Sequence, residues 1–231
     1  MFLEEMEKKR AKRLEIIEKH YNNGVKFVDE FQAYIDETVV IGAGTLIGPC
    51  VTLEGDTVIG ENCVIGQNTV IKDSKIDDNV TIKSSVITES TIGSGTSVGP
   101  FAYLRPNSHI GKDCKVGDFV EVKNSTMGDG AKASHLTYIG DSDVGAKVNL
   151  GCGVVFVNYD GTKKYRSVVE DGAFIGCNSN LVSPVRVGQG AYIAAGSTVT
   201  EDVEGDALFI ARAKGTQKPE WVSAKGILKK K

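Results

Sequence analysis

The chain has 231 residues, with 27 Lys and Arg, 30 Asp and Glu, and a formal net charge of -3. A mildly acidic surface without a basic stripe attracts neither nucleic acid nor an anionic membrane, so we expect neither partner. Five cysteines with no C-x-x-C pair argue against a disulfide framework and a structural zinc site, and we expect no metal. No apolar segment approaches the ~18 residues that span a bilayer, and the N-terminus has no apolar signal core, which predicts a cytoplasmic protein.

Residues 1–24 form the first predicted element, a short helix. The segment FLEEMEKKRAKRLEIIEKH mixes acidic and basic residues around scattered apolar ones, as a solvated helix does. Asn22, Asn23 and Gly24 favour its end. We expect His20, within this helix, to be a surface residue, and likewise His109 in a turn further along the chain.

Residues 25–205 form the second element and carry a six-residue repeat of apolar side chains, with occasional five-residue steps. A helix of 3.6 residues per turn cannot keep such a repeat on one face, whereas short strands with glycine-supported corners can. Each hexapeptide therefore predicts one side of a coil, with its apolar residue pointing inward. The residues predicted to point inward are Ile35, Ile41, Ile47, Leu53, Ile59, Ile65, Ile71, Ile76, Ile82, Ile87, Ile92, Val98, Leu104, Ile110, Val116, Val122, Met127, Ala133, Ile139, Val144, Leu150, Phe156, Val169, Ile175, Leu181, Val187, Ile193 and Val199.

This pattern predicts an all-β protein. The repeat resembles that of the hexapeptide-repeat proteins, whose prisms have three sides and wind left-handed, and the resemblance implies a left-handed parallel β-helix. About nine coils at ~4.8 Å each predict a prism roughly 45 Å long. Residues 206–231 lose the repeat and are expected to form an irregular C-terminal tail. We expect the N-terminal helix and this tail to cap the open β-edges.

Basic residues mark one candidate site on the coils. Arg105 and Lys123 are 18 residues apart, which is one coil, and each directly follows an inward residue. They are therefore predicted to stack at one corner as a pair of cations suited to a phosphate. The segment NYDGTKKYRS, residues 158–167, interrupts the repeat. It predicts a basic loop, either a solvated surface loop or part of a functional site.

Further polar residues are predicted to lie near this cation pair. Glu121 and Tyr138 precede the inward residues of the same corner on successive coils. Each of a second set sits two places after an inward residue and is expected further along that corner: Asn158, Cys177 and Ala195. His135 and Asn149 are expected on the neighbouring corner, one side of the prism away. These placements require that each five-residue step still forms a full side.

The stretch from Arg105 to Arg212 resembles a known family. The match is carried by the segments LRPNS, GDFVEVKNS, KASHLTYIGD, VNLGCG, VNYDGTKKY, FIGCNSNLVSPV and IAAGSTVTEDV. They closely resemble the acetyltransferase half of the bacterial bifunctional N-acetylglucosamine-1-phosphate uridyltransferase/glucosamine-1-phosphate acetyltransferase. NNGVKFVD and AYIDETVVIG extend the match back to about Asn22. Many acyltransferases share the hexapeptides, whereas KASHLTYIGD together with NYDGTKKY is specific.

The resemblance implies transfer of acetyl from acetyl-CoA, the cosubstrate, to the amine of glucosamine 1-phosphate, in UDP-N-acetylglucosamine biosynthesis and cell-wall precursor supply. It also implies a homotrimer with intersubunit sites and no metal requirement for acetyl transfer. His135 matches the general base. The substrate-binding matches are Arg105, Glu121, Lys123, Tyr138, Asn149 and Lys164, and the coenzyme-binding matches are Cys152, Asn158, Tyr159, Cys177, Ala195 and Arg212. At Cys152 and Cys177 the best-studied relatives carry Ala and Ser.

Two other functions fit the repeat. One is a hexapeptide acyltransferase with a different amine or hydroxyl acceptor, and the other is a non-catalytic β-helix that serves as a trimerisation module. Such a module has no reason to hold Arg105, Lys123 and His135 at these spacings. The Gly-rich L-x-x-G-x-G-T-x-M loop of the family's uridyltransferase half does not occur in the sequence, so we expect no uridyl transfer. The sequence is compatible both with a stand-alone acetyltransferase and with a fragment of the bifunctional enzyme.

Overall fold

The computed structural model describes residues 2–227, which form a helix, a long β-prism and a tail. Helix α1 spans Phe2–Asn22, a 3-10 turn spans Glu30–Gln32, and a short helix α2 spans Trp221–Ala224 in the tail. Residue 1 and residues 228–231, the last part of the predicted tail, lie outside the described residues. Within residues 2–227, no helix is both long and apolar enough to cross a membrane.

The strands of residues 2–227 form three parallel sheets, of 11, 10 and 9 strands, in which each coil contributes one strand to each sheet in turn. Sheet 1 contains Lys26–Phe27, Leu46–Ile47, Val64–Ile65, Thr81–Ile82, Ser97–Val98, Lys115–Asp118, Lys132–His135, Asn149–Leu150, Phe174–Ile175, Tyr192–Ile193 and Leu208–Phe209. Sheet 2 contains Ala33–Ile35, Val51–Glu54, Val70–Lys72, Val86–Thr88, Tyr103–Leu104, Glu121–Lys123, Tyr138–Gly140, Val155–Val157, Asn180–Val182 and Thr198–Val199. Sheet 3 contains Val40–Ile41, Val58–Ile59, Lys75–Ile76, Ser90–Ile92, Ser108–Ile110, Thr126–Met127, Ser142–Val144, Ser167–Val169 and Arg186–Val187.

The core confirms the repeat, because every residue predicted to point inward is buried. Equivalent residues pair in register from coil to coil, as Ile47 does with Ile65 and Ile65 with Ile82. The five-residue steps also form full sides, since Ile71 lies in sheet 2 and Ile76 in sheet 3. The all-β solenoid was thus predictable from periodicity. The strands continue past residue 205, the predicted end of the repeat, because Leu208–Phe209 still pairs with sheet 1.

Close stacking of the coils explains the glycine that often follows the inward residue. A Cβ at Gly42 would lie 2.5 Å from the carbonyl carbon of Gly60 on the next coil, closer than any side chain tolerates. Buried hydroxyls bind the same corners together. Thr45, for example, donates to the carbonyl oxygen of Gly60 at 2.8 Å and accepts from the amide of Cys63 at 3.0 Å. The Thr45 hydroxyl therefore satisfies buried polar groups of the next coil.

The N-terminal helix packs on the first coil through Ile17 and His20, which are both buried. The expectation of a surface His20 is wrong, because this residue lies on the helix face that covers the end of the prism. Burial, followed by the nearby Lys19 charge, lowers the pKa of His20. His109 is exposed as predicted, but it lies in a strand rather than a turn and shares a hydrogen bond with Thr91.

Candidate functional site

Two corners of the prism carry the candidate residues, one at each edge of the outer face of sheet 2. The first, here called the cation corner, joins sheet 2 to sheet 3 and carries Arg105, Lys123 and Asn158. The second, here called the histidine corner, joins sheet 1 to sheet 2 and carries His135. Tyr138 begins the strand of sheet 2 that follows His135 and connects the two corners.

The cation corner contains the predicted pair. Tyr103 pairs in register with Glu121 and Leu104 with Val122, so Arg105 and Lys123 lie side by side on neighbouring coils. The Nη1 group of Arg105 donates to Oε1 of Glu121 at 2.8 Å, an ion pair that holds the guanidinium against sheet 2. The predicted stack of two cations is therefore present.

Lys164 reaches the same corner from the loop of residues 158–166. The nearby side chain of Lys123 lowers the pKa of Lys164, and the charge of Arg105 acts in the same direction. Three cations thus converge on one solvent-facing position, here called the cation cluster. An incoming anion relieves this repulsion, so the cluster is suited to a phosphate group.

The loop that carries Lys164 is ordered by its own hydrogen bonds. The carboxylate of Asp160 accepts from the amides of Thr162 and Lys163, both at 2.7 Å, and these bonds lower the pKa of Asp160. At the far end, Arg166 donates to Asp143 at 2.6 and 2.5 Å. Arg166 therefore ties the end of the loop to the prism, while residues 159–164 are exposed to solvent. An exposed surface loop and a part of a functional site both fit this arrangement.

A buried carboxylate that the sequence prediction missed supports this corner. Asp141 is 7% exposed, and it accepts from Lys123 Nζ at 3.2 Å and from the side-chain amides of Asn124 and Asn158, each at 2.5 Å. Burial is the largest influence and acts to raise the pKa of Asp141, but the donated hydrogen bonds together outweigh it and lower the pKa. Asp141 thus positions both Lys123 and Asn158.

Tyr138 extends from sheet 2 toward this cluster. Its hydroxyl group lies over Gly140, where a Cβ would come within 2.4 Å of the oxygen. The side-chain amide of Asn158 lies 3.5 Å from the same oxygen. Glycine at position 140 is therefore what allows the tyrosine hydroxyl to approach the cation corner.

At the histidine corner, His135 pairs in register with Asp118 on the preceding coil. His135 Nδ1 and Asp118 Oδ1 are 2.5 Å apart, and the histidine side chain is 54% exposed. This hydrogen bond is the main reason that the pKa of Asp118 is lowered. An ionised carboxylate only accepts, so Nδ1 carries a proton and Nε2 is left with a free lone pair. The pair suits general-base chemistry.

The small residues matched to the coenzyme groove follow His135 along the same corner. Cys152, Cys177 and Ala195 each lie two places past an inward residue of sheet 1, as His135 does. Backbone bonds join them from coil to coil, because the amides of Asn178 and Gly196 donate to the carbonyl oxygens of Cys152 and Cys177, each at 2.8 Å.

This arrangement corrects the prediction that Cys177 and Ala195 share a corner with Asn158. The loop of residues 158–166 is inserted between sheets 2 and 3, and Ser167–Val169 still forms the next side of the coil. Ile175 therefore returns to sheet 1, not to sheet 2. As a result, the coenzyme-matching residues lie on the corner of His135 and away from Asn158.

The remaining matched residues lie at the margins of these two corners. The prediction that Asn149 shares the corner of His135 is wrong, because Asn149 lies on the outer face of sheet 1, paired with Lys132. Tyr159 is exposed and donates to the carbonyl oxygen of Gly161 at 2.5 Å within its own loop. Arg212 lies beside Gly196, at the C-terminal end of the histidine corner.

Both missed carboxylates could have been found by coil counting. Asp118 precedes His135 by 17 residues, and Asp141 follows Lys123 by 18, so each lies one coil from its partner. Either aspartate, however, is indistinguishable in sequence from the many corner aspartates that only accept backbone amides. In residues 2–227, no group of three or more His, Cys, Asp or Glu side chains could hold a metal ion.

Comparisons with known proteins agree with the repeat and with the motifs. The model of a bacterial transferase hexapeptide (six repeats) matches residues 89–124 and 166–201, and that of the GMPPB C-terminal domain matches residues 30–98. The bifunctional protein GlmU of Alkaliphilus metalliredigens is 49% identical over 93% of this chain and 47% of that protein. The GlmU of Geobacillus thermodenitrificans is 53% identical over 94% of this chain and 47% of that protein.

The chain is similar to GlmU proteins at about 50% identity over more than nine-tenths of its length. It matches the C-terminal half of those proteins and spans about half the length of the curated relatives it matches. The solved structure of an Arabidopsis UDP-N-acetylglucosamine acyltransferase superposes with a TM-score of 0.60, covering 78% of this chain and 70% of that chain. At 17% identity this likeness concerns the fold alone, which is the left-handed parallel β-helix.

We predict that Asp141→Asn destabilises the fold by ~1–3 kcal/mol at pH 7, because the buried Asn158 and the partly buried Lys123 and Asn124 lose a charged acceptor. A carboxylate with a lowered pKa stabilises the fold above its unfolded pKa of ~3.9, and this contribution is lost as the pH falls below that value. Urea unfolding at several pH values is the measurement. The difference from wild type should shrink below about pH 4, whereas the exposed Asp56→Asn should show little difference throughout. A constant difference down to pH 2 would contradict the assigned role.

Proposed function

We propose that this chain transfers the acetyl group of acetyl-CoA to the amine of glucosamine 1-phosphate in the cytoplasm. The observation that carries the proposal is the placement of a cation cluster and a His–Asp pair at the two edges of one sheet, in a chain similar to GlmU proteins. A trimerisation module without catalysis needs neither feature.

The cation cluster selects a phosphorylated acceptor. Glu121 pairs with Arg105 and Asp141 pairs with Lys123, and these carboxylates fix the positions of the two cations. Lys164 adds a third positive charge, and its cationic neighbours lower its pKa. A phosphate accepts from all three groups at once, and the guanidinium offers it a planar pair of donors. Phosphate binding would orient the sugar so that its amine extends over the face of sheet 2.

His135 supplies the base. Its Nδ1–H donates to Asp118, so the lone pair of Nε2 faces solvent, where it accepts a proton from the substrate ammonium. The free amine then attacks the thioester carbonyl carbon. The attacking nitrogen then releases a second proton to solvent. The tetrahedral intermediate collapses with release of the coenzyme A thiolate, which takes the first proton from the imidazolium. The negative charge of Asp118 stabilises the imidazolium in between.

The histidine corner supplies the coenzyme site. Cys152, Cys177 and Ala195 are small, so a thin pantetheine chain fits along this edge without displacing backbone. From His135 to the coil that carries Arg212 is four coil spacings, or about 19 Å at ~4.8 Å per coil. The thioester would lie at the His135 end, and Arg212 would meet a phosphate at the other end.

An exposed apolar patch beside His135 supports the homotrimer. Phe101, Phe119 and Leu136 lie one above another on three coils, with exposures of 58%, 58% and 56%. Their φ angles are 59°, 53° and 48°, a left-handed conformation that costs a bulky residue ~1–2 kcal/mol. The two phenyl rings stack with centroids 5.5 Å apart. A second copy packing on this patch would bring its own surface over His135, so the site would be shared between subunits.

The decisive experiment is an assay of thiol release from acetyl-CoA with glucosamine 1-phosphate as acceptor. Glucosamine and N-acetylglucosamine 1-phosphate serve as matched alternatives, because the first lacks the phosphate and the second lacks a free amine. Serine offers an amine and a hydroxyl without the sugar or the phosphate. We expect release only when phosphate and amine are present together. Equal turnover of a hydroxyl acceptor would favour a different acyltransferase, and no turnover with any acceptor would favour the non-catalytic module.

We predict that His135→Ala lowers kcat by ~10²–10⁴ and leaves the melting temperature nearly unchanged, because the imidazole side chain is 54% exposed. Asp118→Asn should lower kcat by less, since the base remains but loses its charged partner. His109→Ala, an equally accessible histidine in a strand of sheet 3, is the control. Near-normal turnover by a well-folded His135→Ala protein would contradict the assignment of His135 as the general base.

We predict that Phe119→Asp separates the trimer, because it places a charge in the apolar patch and removes the ring stack with Phe101. Sedimentation equilibrium at micromolar concentration is the measurement, with wild type sedimenting as a trimer. Phe31→Asp, at 59% exposure on the far end of the prism, is the matched control and should leave the trimer intact. A monomeric wild-type protein would overturn the shared site.

A further inference from the structure

Two of the five cysteines lie side by side on neighbouring coils. Asn149 pairs in register with Phe174 and Leu150 with Ile175, so the continuing chain sets Cys152 beside Cys177. The hydrogen bond from the amide of Asn178 to the carbonyl oxygen of Cys152, at 2.8 Å, keeps this register through the turn. Neighbouring parallel strands are ~4.8 Å apart, which sets the distance between the two Cα atoms at about that value.

The two side chains also point in the same direction, because they occupy the same position of equivalent turns. Each cysteine is followed by a residue in the left-handed region, Gly153 at φ 76° and Asn178 at φ 54°. Cys177 is exposed and Cys152 is partly exposed, and both thiols are free. They form an accessible pair, here called the corner dithiol, on the edge of the prism that runs from His135 to Arg212.

The spacing of the corner dithiol is compatible with a disulfide, although not with a relaxed one. Disulfides join Cα atoms 4.4–6.8 Å apart, which includes the ~4.8 Å of neighbouring coils. Their Cβ atoms average ~3.8 Å apart, so two parallel side chains must lean toward each other by about 1 Å. A bond that forms under such strain is readily reduced again, which is typical of regulatory disulfides.

The other three cysteines do not compete for this chemistry. Cys63 and Cys114 are buried, and burial raises the pKa of both thiols, so little reactive thiolate forms. Cys50 is exposed, but it lies several coils away and its thiol hydrogen-bonds to Gln32. In contrast to the other three cysteines, the two residues of the corner dithiol are both accessible and lie next to each other.

We propose that Cys152 and Cys177 are a redox modification site, in which a reversible disulfide between them closes the coenzyme edge of the prism. The bond itself requires only the geometry of the corner. Its consequence for acetyl transfer rests on the proposed function, since a bridging disulfide fills the edge along which the pantetheine chain would lie.

The oxidant is a low-molecular-weight disulfide, RSSR. The thiolate of Cys177, the more exposed residue, attacks one sulfur of RSSR, forms Cys177–S–S–R and releases RS⁻. The thiolate of Cys152 then attacks the Cys177 sulfur, forms the Cys152–Cys177 bond and releases the second RS⁻. Two protein thiols are oxidised and one RSSR is reduced to two thiols, which take up the two protons.

The test incubates the full chain with glutathione disulfide, followed by thiol titration of the denatured protein and by mass spectrometry of its peptides. We expect wild type to lose two of its five thiols, without a bound glutathione, and to yield a Cys152–Cys177 cross-linked peptide. Cys152→Ala removes the resolving thiol and should stop at a single glutathione adduct on Cys177. Cys50→Ser is the matched control and should oxidise as wild type does.

The second part of the test measures the rate of acetyl-CoA consumption by three samples: the untreated protein, the oxidised protein and the oxidised protein after reduction with dithiothreitol. We expect oxidised wild type to lose at least ten-fold in rate and to regain it on reduction. Glutathione adducts on wild type without the cross-linked peptide would overturn the disulfide, as would cross-links between chains through Cys50. A cross-link that forms while the rate stays unchanged would overturn the closure of the coenzyme edge. Because the peptide readout needs no activity, a protein inactive before oxidation would count against the proposed function and not against the disulfide.

Discussion

In-register stacking of the coils is the constraint on which the rest of the structure depends. Each inward residue pairs with its equivalent one coil away, as in the ladder from Ile47 through Ile65 to Ile82. Since strands pair at ~4.8 Å, residues 17 or 18 positions apart in sequence become direct neighbours. The stacked coils therefore fix the position of every functional residue, both along the axis of the prism and at one of its edges.

This stacking places a group of cations on one edge of sheet 2 and a histidine on the other. One edge gathers positive charge at Arg105, Lys123 and Lys164, and the other carries His135 above a row of small residues. His135 and Lys164 are both exposed, so both edges are open to solvent. The stacked rings of Phe101 and Phe119 are exposed beside His135, and the proposed trimer would cover them with a second copy.

Aspartates perform the positioning on this scaffold. Asp118 orients His135, Asp141 holds Lys123, Asp143 anchors Arg166 and thereby the loop, and Asp160 closes the turn within that loop. Each carboxylate has a lowered pKa, so all four remain charged acceptors at neutral pH. Short side chains suit this task because little conformational entropy is lost when they are ordered.

The sequence by itself determined the solenoid and the stacked pair of Arg105 and Lys123, because both follow from a strict period that any reader can count. Counting failed where the period was interrupted. Counting placed Cys177 one side of the prism away from its true corner, because the length of an inserted loop does not show how many sides of the coil it replaces. Only the tertiary structure brought Lys164 back to Lys123 and singled out Asp118, one coil before His135, from the many corner aspartates that accept only backbone amides. The physical reason is that side-chain directions and loop hydrogen bonds are set by neighbours in space, which the coil spacing alone does not specify.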